Sequence, residues 1–111
     1  MKKQSIDCDI QVASIEHWKD KDFWLEANET YMLTIDYPFN ISTDFPVKTG
    51  KDGLGLFGLL PHISKAYDKK YAAINSGKNK EDGYWHGIGD LVIEGIDVDH
   101  TKKTIKLHVG S

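Results

Sequence analysis

Arginine is missing from the sequence: all 14 basic residues among the 111 are lysines. Arginine is the usual donor for two-pronged hydrogen bonds to phosphate groups and guanine edges, and for stacking on bases. The lysines are scattered or lie next to acids, and the formal net charge is −3. These features argue against sequence-specific nucleic-acid binding, so we expect no nucleic-acid partner.

Cysteine and long apolar runs are almost as scarce. A single cysteine, Cys8, excludes a disulfide within the chain and is typical of a reducing compartment. The apolar runs are only a few residues long, whereas a membrane-spanning helix needs about 20 residues. Near the N-terminus, Asp7 and Asp9 interrupt the apolar stretch that a secretory signal peptide requires. We therefore expect a cytoplasmic protein that has no membrane partner.

The residues that are present are typical of one globular domain. Apolar residues make up 40% and charged residues 28%, which is close to globular averages and far from the composition of disordered chains. Three Trp, five Tyr and four Phe can each bury a large area. A length of 111 residues suffices for one hydrophobic core but not for two. We therefore predict a single domain over residues 1–111.

Four segments have the period-two alternation, or the β-branched and aromatic composition, of β-strands: residues 5–12, 30–37, 91–98 and 104–109. The last two flank a polar turn at 99–103 and therefore predict a C-terminal β-hairpin. Pro38 ends the second strand, since proline cannot donate to a ladder of hydrogen bonds. The segment 38–53 is expected to be mostly loop, with a short extended piece at 45–48 on a sheet edge.

The main helix is predicted between Leu56 and Asn75, where apolar residues recur at three- and four-residue steps and form one stripe. Proline is tolerated in the first turn of a helix but costs about 3 kcal/mol in its interior. Because of Pro61, either the regular helix begins near Leu59 or an earlier turn, opening at Asp52, is kinked. The solvated face of the helix is expected to carry three lysines: Lys65, Lys69 and Lys70.

These elements give the order β-β-α-β-β, with a further short helix expected from Ser14 to Asp22. Alternating strands are typical of an antiparallel sheet with one solvated face, and the other face can bury the stripe of the helix. The predicted fold is a two-layer α+β domain: a largely antiparallel sheet of about four strands, one main helix on one face and a C-terminal hairpin. Seven residues should be largely buried: Leu59, Leu60, Ile63, Tyr67, Ile93, Ile105 and Leu107.

The histidines are isolated from one another in the sequence: His17, His62, His86, His100 and His108. Metal sites usually show His or Cys pairs at short spacing, so we expect no bound metal and no cofactor. Asp97 and Asp99 share one face of a strand and could offer oxygen ligands to a hard cation. We favour an ordinary hairpin turn, in which the Asp99 side chain accepts hydrogen bonds from nearby backbone amides.

Other patterns for catalysis or phosphate binding are incomplete. The glycine-rich segment 50–58 lacks the residue order of a P-loop and favours a tight turn with close backbone packing. Cys8 lies on the apolar side of a strand, and no serine stands in a Gly-x-Ser-x-Gly motif. Acid–base catalysis needs only two placed side chains, so four residues stay open as candidates: His62, His86, Asp90 and Glu94.

Tyr84, Trp85 and His86 form the most distinctive local sequence. They follow a polar stretch, residues 77–83, that should be mobile because few of its side chains can bury area. Large aromatic side chains are enriched at the anchor points of protein interfaces. Two interpretations remain open: Trp85 closes the end of the core, or the three residues bind a partner.

The absence of a complete catalytic motif, the small size and the excess of acids favour a non-catalytic protein-binding or regulatory module. A small inhibitor, an immunity protein or an accessory subunit would fit, with Tyr84, Trp85 and His86 as binding residues and the partner unknown. The alternative is a small enzyme with a dispersed His/Asp acid–base or metal site. An exposed Trp85 on a flat surface favours binding, whereas a deep polar pocket favours an enzyme.

Overall fold

The computed structural model of the protein describes residues 3–13, 23–78 and 82–111. Within these ranges the fold is α+β, as predicted. Its elements are β1 (Lys3–Gln11), β2 (Trp24–Leu25), β3 (Thr30–Ile35), β4 (Thr43–Lys48), β5 (Leu54–Gly55), α1 (Leu56–Asn75), β6 (Val92–Asp99) and β7 (Thr104–Gly110). The short helix predicted from Ser14 to Asp22 lies outside the described residues.

The main sheet has five strands in the order β1-β6-β7-β3-β4. Its pairs are antiparallel except for β3 and β7, which run parallel. The predicted hairpin is β6–β7 and is confirmed. One strand more than predicted is present because β4 is a regular strand, paired with β3 from Thr30↔Lys48 to Ile35↔Thr43. Pro46 is tolerated there, since β4 lies on the sheet edge.

A second, two-stranded sheet joins β2 to β5 directly before the helix. The helix occupies the predicted range, Leu56–Asn75, and begins directly after this sheet rather than near Leu59 or at Asp52. Pro61 lies inside the helix, where it removes the hydrogen bond that residue 61 would donate to the carbonyl of Phe57. Burial of Leu56 and of the next apolar residues of the stripe offsets this loss.

The core lies between α1 and one face of the five-stranded sheet. Six of the seven residues predicted to be buried are at most 1% exposed: Leu59, Leu60, Ile63, Tyr67, Ile93 and Ile105. The seventh, Leu107, is half-buried in the middle of β7, where it lines a surface depression. In the part of the chain that is described, no helix is both long and apolar enough to cross a membrane.

The glycine-rich segment forms a tight turn, as predicted. The amide of Gly53 donates to the carbonyl of Gly50 over 3.1 Å, and Gly53 has a φ of 73°. A Cβ at Gly53 would lie 2.5 Å from the carbonyl oxygen of Leu25. This position therefore needs glycine both for its backbone conformation and for the close approach of β2.

Candidate functional site

Backbone hydrogen bonds join the segment that contains Tyr84 to the loop after β3. Phe39 and Tyr84 face each other as an isolated antiparallel bridge. On one side of this bridge, the amide of Trp85 donates to the carbonyl of Pro38 over 3.2 Å. On the other side, the carbonyl of Gly83 accepts a second backbone hydrogen bond over 2.9 Å. The predicted binding residues are thus fixed by backbone pairing.

Tyr84 belongs to a cluster of aromatic rings at the C-terminal end of α1. Its ring centroid lies 4.8 Å from that of Tyr71 and 6.4 Å from that of Phe39, in edge-to-face arrangements. The Tyr84 hydroxyl donates to Oδ1 of Asn75 over 2.9 Å. Phe39 is buried, whereas Tyr84 is 39% exposed. One side of Tyr84 is therefore packed and the other faces solvent.

Two tyrosine hydroxyls tie α1 to the neighbouring loops. Tyr67 donates to the carbonyl of Tyr37 over 3.0 Å, and Tyr71 donates to the carbonyl of His86 over 2.8 Å. Burial, with a smaller effect of Tyr84, raises the pKa of Tyr71 to about 12. Burial also raises the pKa of Tyr67 well above its ordinary value. Both side chains therefore stay neutral and keep donating at physiological pH.

A buried ion pair lies beside the aromatic cluster. Nζ of Lys70 is 3.1 Å from Oδ2 of Asp82, and the two side chains are only 4% and 1% exposed. The ammonium group also donates to the carbonyl of Ile41 over 2.6 Å and to Oγ1 of Thr43 over 2.7 Å. It lies 4.6 Å from the ring centroid of Phe39. Three polar contacts thus match the three donors of the ammonium group.

The carboxylate of Asp82 also has hydrogen-bond partners besides Lys70. Its Oδ1 accepts hydrogen bonds from the amides of Ile41 over 3.0 Å and Gly83 over 2.8 Å. Burial opposes ionisation of this carboxyl, but the contact with Lys70 and the two amides outweighs it and lowers the pKa of Asp82. The carboxyl of Asp82 therefore stays ionised at neutral pH, and its contacts connect α1 to both loops of the site.

The prediction that Lys70 belongs to the solvated face is wrong, whereas Lys65 and Lys69 are exposed as predicted. Lys70 stands seven residues after Ile63 and four before Ile74, so its spacing is that of the apolar stripe. That spacing was a signal for burial in the sequence. The sequence around Asp82 does not predict its burial, because its partners in the fold are distant from it in sequence.

Trp85 follows Tyr84 directly in the chain and is 55% exposed. Its ring meets that of Tyr37 edge-on at 5.6 Å, and the ring of His86 lies 6.2 Å from the same tyrosine. Nδ1 of His86 is 3.9 Å from Oδ2 of Asp90 at the surface. The interpretation that Trp85 closes the core is therefore wrong. The predicted mobility of residues 77–83 stays a prediction, and residues 79–81 lie outside the described ranges.

Comparison with protein families, with characterised proteins and with solved structures finds no match to this chain. Its function is therefore inferred from the chemistry of its own side chains.

The four histidines of the described ranges lie apart from one another. His62 is on α1, where burial lowers its pKa. His100 is buried at the end of β6 and shares a hydrogen bond of 2.9 Å with the hydroxyl of Tyr31. Nε2 of His108 is 2.5 Å from Oδ2 of Asp97 on the sheet surface. No group of three or more His, Cys, Asp or Glu among the described residues is placed to hold a metal ion.

Asp97 has two polar partners but not the arrangement of a catalytic triad. Hydrogen bonds from Ser5 and His108 lower the pKa of Asp97. In a triad the histidine stands between the acid and the serine, whereas here the carboxylate stands between the other two. Asp99 plays the predicted turn role, since its Oδ1 accepts two backbone hydrogen bonds over 2.9 and 3.0 Å.

The remaining candidates for catalysis are dispersed over the surface. Glu94 is exposed on β6, and the acidic partner of His86 is Asp90. Cys8 is half-buried, and its thiol donates to the carbonyl of Ile93 over 3.3 Å. A buried thiol that already donates a hydrogen bond behaves as a small core residue rather than as a nucleophile.

Proposed function

We propose that this protein is a non-catalytic module that binds another protein through a surface centred on Trp85, with Tyr84 and His86 beside it. The observation that carries the proposal is the 55% exposure of Trp85, whose ring packs edge-on against the half-buried Tyr37. Tryptophan and tyrosine are the side chains most often found at the energetic centres of protein interfaces. We call the surface of Tyr84, Trp85 and His86 the aromatic surface.

The packing beneath the aromatic surface supports this proposal. The backbone of Trp85 is bonded to Pro38, and the carbonyl of His86 accepts the Tyr71 hydroxyl. A surface that is fixed before binding loses little conformational entropy when a partner arrives. The buried pair of Lys70 and Asp82 fixes the two loops from the other side. These contacts supply the preorganisation that a tight interface requires.

Cellular location and partner class belong to the same proposal. The single Cys8 and its thiol hydrogen bond are compatible with a reducing cytoplasm. The absence of arginine and the net charge of −3 support a protein partner rather than a nucleic acid. We therefore place the protein in the cytoplasm as an inhibitor, immunity-type or accessory protein.

The alternative, a small enzyme, would use His108 as its acid–base group. Asp97 holds one ring nitrogen of this histidine, which is an arrangement that orients a general base. Both side chains are largely open to solvent, at 63% and 44% exposure, so the pair does not lie in the enclosed polar pocket expected of an active site. A substrate whose turnover is lost in His108→Ala would favour this alternative.

The test of the binding proposal is capture of partners from extracts of the source cells by the wild-type protein and by Trp85→Ala. We expect a protein that is retained by the wild type and lost from the variant, with affinity reduced about 30-fold, or about 2 kcal/mol. The free energy of unfolding should change by less than about 1 kcal/mol, since the indole is mostly exposed. Isothermal titration with the recovered partner and urea unfolding measure the two quantities.

Trp24→Ala is the matched control, because Trp24 is 56% exposed and lies beside β5, at the other end of α1. This variant should keep the partner. Equal retention by Trp85→Ala and the wild type would contradict the proposal, as would equal loss in both tryptophan variants.

A further inference from the structure

A surface depression of about 290 Å³ adjoins the aromatic surface at the end of β7. Its lining is Asp36, Tyr37, Glu94, Leu107, His108 and Val109. Tyr37 lines this depression, and its ring meets that of Trp85 edge-on at 5.6 Å, so this residue connects the depression to the aromatic surface. The depression therefore continues the surface on which the proposed function rests.

The strand register explains why two carboxylates flank the depression. In the parallel pair, Thr34 lies opposite Lys106, which brings Asp36, two residues later, beside His108. On the other side of β7, Glu94 occupies the irregular position of β6 that lies opposite the end of the strand. Acids from β3 and β6 thus stand on either side of β7.

These two carboxylates lack a cationic partner among the described residues. Asp36 accepts one hydrogen bond, from the amide of Tyr37 over 2.7 Å, and Glu94 is exposed. The one basic side chain in the lining, His108, already contacts Asp97. Leu107 and Val109, both half-buried, pack against the core, so the lining of the depression is mostly polar.

We propose that the depression receives an arginine side chain of the partner protein. The guanidinium group of the arginine pairs with Asp36 and Glu94. Arginine suits the site better than lysine, because its planar group bonds carboxylates with two donors and stacks on aromatic rings such as that of Tyr37. This inference rests on the proposed function and adds the chemistry of the partner.

Gly110 permits this arrangement of charges. A Cβ at residue 110 would collide with the carboxylate of Glu94, so glycine leaves the space in which that carboxylate lies. Gly110→Ala should therefore displace the Glu94 side chain without removing its charge. Because the displaced group is the end of a flexible side chain, the fold should tolerate the change.

The test uses a defined probe, the peptide acetyl-Gly-Gly-Arg-Gly-Gly-amide, titrated into ¹⁵N-labelled full-length protein and followed by amide chemical shifts. We expect saturable shifts at His108, Val109 and Gly110, and at the indole N–H of Trp85. The same peptide with citrulline in place of arginine keeps the shape but loses the charge, and it should bind at least fivefold more weakly.

The variant Asp36→Asn/Glu94→Gln should weaken binding of the arginine peptide at least fivefold, and Gly110→Ala should weaken it at least twofold. Asparagine at 36 keeps an oxygen for the Tyr37 amide, so the fold should survive; Glu94→Gln alone serves if it does not. Asp52→Asn/Asp68→Asn is the matched control, because it removes two exposed acids elsewhere and should bind as the wild type does.

Four results would overturn the inference: no saturable shifts, equal binding of the citrulline peptide, equal loss in the control double variant, or tighter binding of free spermidine at the same amides. The experiments distinguish failure of the arginine inference from failure of the proposed function. If a captured protein is lost with Trp85→Ala but kept by Asp36→Asn/Glu94→Gln, the protein is a binding module whose partner does not use an arginine at this position.

Discussion

Lys70 shows how one buried charge can organise a surface that it does not reach. The ammonium group contacts Ile41 in the loop after β3, Thr43 at the start of β4, and Asp82 in the segment that carries the aromatic surface. A buried ion pair contributes little net stability compared with apolar side chains, because desolvation of both charges opposes their attraction. The ion pair instead fixes the position of the two loops, because any other arrangement of them would leave a buried charge without its partner.

We predict that Lys70→Met lowers the free energy of unfolding by about 3–5 kcal/mol, because Asp82 is left as a buried charge without its cation. Urea unfolding of the purified variant measures this loss. Lys69→Met is the matched control: Lys69 is the neighbouring exposed lysine, so its change should stay within about 0.5 kcal/mol. A loss for Lys70→Met no larger than that of the control would mean that the pair is not desolvated in solution.

The regular elements differ in how well local sequence predicts them. The hairpin of β6 and β7 and the body of α1 follow from periodicity, since each buries one face of a repeating pattern. The strand β4 contains Pro46 and stands among loop residues, so the sequence predicts only an edge piece at 45–48, and pairing with β3 lengthens it to Thr43–Lys48. The start of α1 likewise depends on β2, which is distant in sequence from Pro61.

The candidate site, too, could be predicted from the sequence only in part. Tyr84 and Trp85 could be selected from the sequence because large aromatics beside a polar stretch are unusual, but their exposure could not. Exposure depends on which rings occupy the end of the core, and Phe39, Tyr67 and Tyr71 occupy it. The acidic depression was also hidden, because strand register rather than sequence spacing brings its carboxylates together.

The turn before α1 provides a test of why glycine is needed. Gly53 and Gly77 have nearly equal φ values, 73° and 76°, but only Gly53 would place a Cβ against another backbone, the carbonyl of Leu25. We predict that Gly77→Ala costs about 1 kcal/mol, from the left-handed conformation alone. Gly53→Ala should cost at least twice as much, because the contact between β2 and β5 must also open.

Thermal or urea unfolding of the two glycine variants measures this difference. Equal losses in the two variants would mean that the pairing of β2 with β5 contributes nothing to stability beyond the conformation of the turn.

The molecule is elongated, with extents of 39, 24 and 19 Å. A helix of 20 residues is about 30 Å long and connects the two-stranded sheet at its start to the aromatic surface at its end. Its apolar stripe contacts one continuous core along this length. The two ends of the molecule should therefore not unfold independently. This is what the prediction of a single domain means for unfolding.

Trp24 and Trp85 report on these two ends by fluorescence. Trp18→Phe/Trp24→Phe leaves only the indole of Trp85, and Trp18→Phe/Trp85→Phe leaves only that of Trp24. For each variant we predict that the fluorescence midpoint in urea agrees with the midpoint of its own far-ultraviolet circular dichroism within about 0.2 M, because a single core unfolds in one transition. A Trp85 signal that changes at clearly lower urea than the circular dichroism would show that the aromatic surface opens first. In that case the contacts that hold Trp85 would be lost before the fold, and the preorganisation that supports the binding proposal would be absent.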